Sequence, residues 1–212
     1  MLKKLREPVN SLTHWGGALL AVIGLIALLI VGWGSLTKII SLLIYGISLI
    51  FLFSASATYH MVRVKEKALE IFRKIDHAAI YFLIAGTYTP FCINAFSGFW
   101  KWGLLSIIWS LALIGVTAKV FYIRAPRWLN AGIYLVMGWL CLAALGQMLA
   151  VLPVWVLIWL LVGGAIYTLG AIVYITKILN FVPGVFGFHE MWHIFVMLAA
   201  AAHFVAVMGV TR

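Results

Sequence analysis

The chain has 212 residues, 66% hydrophobic and only 9% charged, with a formal net charge of +10 and two cysteines. Soluble domains carry about a quarter charged residues, so a soluble globular enzyme is excluded. The positive charge comes with apolar runs of membrane-span length, so it reads as a basic face beside anionic lipid rather than a nucleic-acid surface.

Seven apolar runs follow one another along the chain, each long enough to cross a bilayer as a helix. The first covers His14–Trp33 and the second Leu36–Met61. Lys3, Lys4 and Arg6 ahead of the first run resemble a signal peptide. The apolar run is too long for one and more spans follow, so it is expected to be retained. Between the second and third runs lies RVKEKALEIFRK, Arg63–Lys74, with Ala68, Leu69 and Phe72 on one helical side. This is a short interfacial amphipathic helix or a structured loop. The third run covers Asp76–Asn94, the fourth Phe99–Phe121 and the fifth Trp128–Ala150. The sixth covers Pro153–Ile175, where Gly163, Gly164 and Gly170 permit close helix packing, and the last Phe188–Val210. Cys92 and Cys141 lie within apolar runs and read as small buried hydrophobes. The expected architecture is all-α: one seven-transmembrane helix bundle spanning residues 1–212, with antiparallel neighbours.

The charges give an orientation. With the N-terminus cytoplasmic, twelve of the fifteen lysines and arginines face the cytoplasm, and only Lys38, Lys101 and Arg212 lie outside. The C-terminus is then extracytoplasmic. This orientation brings ionisable residues of three spans to one depth. His60 ends the second span, Asp76 and His77 begin the third, and His189, Glu190 and His193 begin the seventh. Such groups are costly in a bilayer and mark functional sites.

His189 and His193 are four residues apart and share a helix face, as do Ser56 and His60, with Leu49 and Phe53 continuing that face. Ile80, Leu83 and Thr87 lie on the side of Asp76. Three imidazoles from two helices and a carboxylate from a third can surround one cation, and imidazole suits zinc, copper, iron or nickel. Three protein ligands with a fourth position left to water is the pattern of a catalytic zinc site. Asp76 could instead cap its helix, and Ser56 could bond its own backbone. His77 is expected to support the bundle or the outer surroundings of the metal. His14 sits at the start of the first span, and His203, about 15 Å beyond His193, suits an interhelical hydrogen bond.

His189, Glu190 and His193 also match the H-E-x-x-H pattern of zinc peptidases. No acidic residue follows Glu190 and no third histidine stands at metzincin spacing. Glu190 is therefore expected to complement the helix N-terminus rather than serve a protease.

These residues occur in a familiar order. EPVNSLTH with Glu7, Asn10, Thr13 and His14 comes first, then SATYH with Ser56 and His60. Asp76, Tyr81 and GTYTP (Gly86–Pro90) follow, then GGAIYTLGAIVY and HEMWHIFVMLAAAAHF. In this order the chain resembles the bacterial hemolysin III family, related to the progestin and adiponectin receptors and more distantly to the alkaline ceramidases. The resemblance implies a multi-pass protein of the bacterial plasma membrane. It also implies a zinc held by His60, His189 and His193, with Asp76 reaching it through water and Ser56 beside it. A role in lipid metabolism or membrane homeostasis follows from it too.

The expected function is a zinc-dependent hydrolase of lipid amide or ester bonds, with Asp76 and Ser56 as catalytic residues and membrane lipids as partners. The alternatives are a hemolysin or pore, or a receptor-like protein in which zinc only clamps helices. A pore needs polar lining, and the fourth to sixth spans offer only scattered groups such as Ser106, Ser110, Thr117, Gln147 and Thr168. The residues do not specify an oligomeric state.

Overall fold

A computed structural model describes residues 5–182 and 185–211. Lys3, Lys4 and Arg212 lie outside the described residues. The helices are α1 Pro8–Val31, α2 Leu36–Met61, α3 Glu66–Asn94 and α4 Gly98–Phe121, then α5 Arg127–Trp139 and α6 Leu145–Val151, then α7 Val154–Thr176 and α8 Phe188–Thr211. A 3-10 segment, Leu140–Ala144, joins α5 to α6 into one rod. Six of the rods are long and apolar enough to cross a membrane.

Each helix starts where the chain dictates. Pro8 sits in the first turn of α1, where a missing N–H costs nothing. Ser35 caps α2 by accepting the Lys38 N–H. Pro126 and Pro153 stand just ahead of α5 and α7. Lys177 closes α7 in the left-handed conformation, φ 58°.

α3 departs from the expectation. It begins at Glu66, so the Arg63–Lys74 stretch is neither a separate interfacial helix nor a loop, and its residues from Glu66 on form the first turns of α3. The charges that make it look like a surface segment are tolerated because these turns precede the apolar part of the helix. Asp76 is consequently well inside the helix, where it cannot act as a cap. α3 is the rod that composition alone does not mark as a span. It packs against α2, α4, α5 and α8, so much of its surface meets protein.

α1 lies against α2 and α8, and α7 lies against α8 and α5; α3, packed against both α2 and α5, completes the ring of helices. Glycines set the closest approaches. A Cβ on Gly163 would collide with the His203 ring, and one on Gly86 with the Ser48 side chain. Gly164 and Gly170 face Trp139 and Phe195, so the glycines of α7 pack inside this bundle.

The break between α5 and α6 leaves backbone groups to satisfy. The Tyr88 hydroxyl does this, donating between the carbonyls of Met137 (2.9 Å) and Gly138 (2.8 Å) and accepting the Cys141 N–H at 2.7 Å. Both cysteines are free.

Candidate metal centre

His60 closes α2, and His189 and His193 occupy the first two turns of α8. Their ring centroids are 4.6 Å (His60–His193), 5.0 Å (His189–His193) and 5.1 Å (His60–His189) apart. One nitrogen from each lies within 4.8 Å of the others, a spacing that could hold a metal ion. His60 and His193 are each only 2% exposed. An imidazole this deep needs a partner for its polar atoms, yet His193 Nδ1 has none in the protein. Three imidazoles converging in this way are a ligand set that suits a borderline-soft divalent metal.

The surroundings fix the first of these rings. Glu7 precedes α1, and its backbone N–H donates to the His60 carbonyl at 3.0 Å. Its Oε2 lies 2.5 Å from His60 Nδ1, and its Oε1 lies 3.1 Å from Arg6 Nε. Burial pushes the Glu7 carboxyl up, but His60, Asn10 and Arg6 outweigh it and hold it at about 2. Asn10, fully buried, donates Nδ2 to Glu7 at 3.0 Å and to Glu190 at 2.9 Å. Glu190 in turn accepts the Gly187 N–H at 2.8 Å. This is the reach of a third-position glutamate back to the residue before its helix. Glu190 therefore anchors the start of α8, as its place in the first turn suggests.

Two cavities meet at the histidines. An apolar one of about 190 Å³ extends from His60, Ser56 and Asp76 past Leu83, Ile84 and Phe91 toward Phe96 and Met148. A polar one of about 580 Å³ opens at the basic end, beside Arg73, Arg124 and Arg127. His60, Asp76, His77, Asn130, Tyr174 and His189 line both and form the neck between them. Arg127 sits over the rings of Tyr174 and Phe188, at 5.5 and 5.1 Å. Lys119, buried at the end of α4, donates to the Asn130 side chain.

All the site residues named from sequence therefore gather here. Ser56 is 3% exposed and lines the apolar cavity, while Asp76 lines both. Ile80, Leu83 and Thr87 share the cavity wall with Asp76, but on α2 the wall is Leu52, because Phe53 turns its ring toward His14 at 5.2 Å. His77 lines the neck, its carbonyl accepts the Tyr134 hydroxyl at 3.3 Å, and its Nδ1 has no protein partner. His203 hydrogen-bonds the Leu160 carbonyl across to α7 at 3.3 Å, the interhelical bond expected of it.

Two features escape a reading of the residues for metal ligands. His14 is only 3% exposed, and its ring centroid lies 3.9 Å from that of His193. Neither of its nitrogens has a protein partner. Glu7 and Asn10 complete the polar cluster. The signal was present: Glu7, Asn10 and His14 are spaced three and four apart, which puts them on one helix face.

A family model described as haemolysin-III related matches residues 2–204. The chain belongs to this family. It is 39% identical over 204 residues to the Hemolysin-3 homolog of Bacillus subtilis (strain 168), covering 95% of this chain and 92% of that one. It is 36% identical over 206 residues to the Hemolysin-3 of Bacillus cereus, covering 95% and 90%. At greater distance it is 29% identical over 176 residues to the human Monocyte to macrophage differentiation factor, covering 77% and 67%. Family and helix composition together make this haemolysin-III related chain a multi-pass cell-membrane protein.

Proposed function

We propose that this protein is a zinc-dependent hydrolase of amide or ester bonds in membrane lipids. The observation that supports it is a three-imidazole cluster at the meeting of a polar and an apolar cavity: His60 and His189 line both, and His193 lines the apolar one. A lipid-cleaving site needs that junction, because its substrate is apolar on one side of the scissile bond and polar on the other.

We take the basic end as cytoplasmic and α3 as a span too, which brings the number to seven. Arg6, Arg63, Lys65, Lys67, Arg73, Lys74, Lys119, Arg124, Arg127 and Lys177 lie toward that end among the described residues, against Lys38 and Lys101 at the other. The packing of α3 against four helices accounts for its lower hydropathy.

His60, His189 and His193 would hold the metal. Zinc there supplies a Lewis acid that brings the pKa of water to about 7. Asp76, at the neck, would orient the attacking water, take its proton and return it to the leaving amine or alkoxide. Ser56 directs its hydroxyl at the oxyanion that develops on the scissile carbonyl. The apolar cavity takes the acyl chain, and the polar one takes the headgroup and admits water.

The test joins elemental mass spectrometry to a panel of ceramides and ester lipids. Wild type is expected to carry about one zinc per chain and to cleave a member of the panel. His60→Ala, still folded, is expected to lose both. Turnover retained by metal-free His60→Ala would end the zinc-dependent reading.

One observation favours a second reading. The ligands come from α2 and α8, so a metal would tie two separated helices together. A pure clamp predicts lower thermal stability on chelation and no turnover of any lipid. A pore within one chain is disfavoured by the apolar wall of the long cavity.

A further inference from the structure

Metal-binding histidines ordinarily donate their other ring N–H to a carboxylate, which fixes tautomer and ring orientation. Among the three candidate ligands here, His60 has such a partner in Glu7, which reaches it from a segment strapped to the end of α2. Arg6 N–H donates to the Met61 carbonyl at 3.3 Å, Glu7 N–H to the His60 carbonyl at 3.0 Å, and the Arg63 guanidinium to the Leu5 carbonyl at 2.7 Å. The Glu7 carboxylate is thereby delivered to Nδ1 at 2.5 Å. With Nδ1–H committed to a carboxylate, the lone pair of His60 is on Nε2.

Asn10 extends the arrangement to the other two ligands. Its amide nitrogen has two protons, and one goes to each of Glu7 and Glu190. The flipped amide would set its oxygen against two carboxylates, so the orientation is dictated by its neighbours. Glu190 follows His189 directly and is tied to Gly187. One amide thus links the carboxylate behind His60 to the helix start that carries His189 and His193.

We propose that Glu7 is a positioning residue that presents His60 Nε2 to the metal, and that Asn10 couples this carboxylate to the start of α8. The inference rests on the metal-site reading above and not on hydrolysis. It assigns the EPVN segment a role in building the site from outside, without touching the metal.

The experiment measures zinc affinity of the full-length purified protein by competition with a chromophoric chelator, and the visible absorption of the cobalt(II)-loaded form. Both are read well below the unfolding temperature of each metal-free variant. Glu7→Gln is expected to bind zinc roughly 10–100-fold more weakly, as loss of a carboxylate behind a ligating histidine does elsewhere. Its cobalt bands should shift as His60 reorients. Asn10→Ala should move both readouts in the same direction by less. Wild-type affinity and an unchanged cobalt spectrum in Glu7→Gln would overturn the proposal. So would a lower unfolding temperature with both metal readouts intact, because that is a structural role alone. If wild type binds neither zinc nor cobalt, the metal-site reading itself fails, and the two failures are distinguishable.

Discussion

His193 and His203 stand on the same helix, about 15 Å apart by helical rise, and the protein treats them differently. His203 has its own partner, the Leu160 carbonyl, and Gly163 provides the room for its ring. His193 is surrounded by His14, His60 and His189, and its Nδ1 meets no protein acceptor. A histidine inside a bilayer needs compensation, and at His203 the fold supplies a backbone carbonyl for Nε2. At the basic end the fold instead gathers several imidazoles, gives His60 Nδ1 to Glu7, and leaves both nitrogens of His14 and Nδ1 of His193 without a protein partner. Convergence with incomplete satisfaction marks the site, rather than the presence of histidine in a span.

The contrast can be broken at several levels. The double variant His189→Ala/His193→Ala should take bound metal from about one per chain to none, measured by elemental mass spectrometry. His203→Phe should leave metal content unchanged, and a loss there would erase the distinction between the two environments. Chelation comes next. Removing zinc held at a hundredfold over its dissociation constant should cost about 2.7 kcal/mol of folded-state stability, visible as a lowered unfolding temperature. His60→Ala should show no further shift with chelator. Gly163→Ala forces a methyl into the His203 ring and should destabilise by about 1–3 kcal/mol without altering metal content. The smallest effect belongs to His203→Phe itself. Losing one interhelical hydrogen bond in a membrane should cost about 0.6–1.7 kcal/mol in a denaturant titration.

Much of this arrangement is legible in the residues, for physical reasons that can be named. Apolar run length locates the six rods that qualify as spans, and helical periodicity puts His189 above His193. The asymmetry of lysine and arginine brings His60, Asp76 and His189 to one end. The start of α3 is hidden because Glu66–Lys74 is charged like a surface loop, and only packing shows it to be helical. The break at Leu140–Ala144 is hidden because LCLAA contains no proline or glycine. The group that satisfies its backbone is a tyrosine on another helix, a tertiary fact. Glu7 and His14 stand on one face in sequence, but the groups they meet, His60 and His193, lie far along the chain.

That separation has a consequence for how the molecule is made. The residues that would hold the metal come from α2 and α8, and α3 to α7 lie between them in the chain. A membrane-inserted chain emerging from the ribosome possesses His60 early and waits for nearly all the remaining helices before His189 and His193 arrive. Nothing can assemble around the three imidazoles until the final span has entered and docked against α1. On the proposed metal-site reading, capture is therefore a late event in biosynthesis, open only to a chain whose α8 is already inserted.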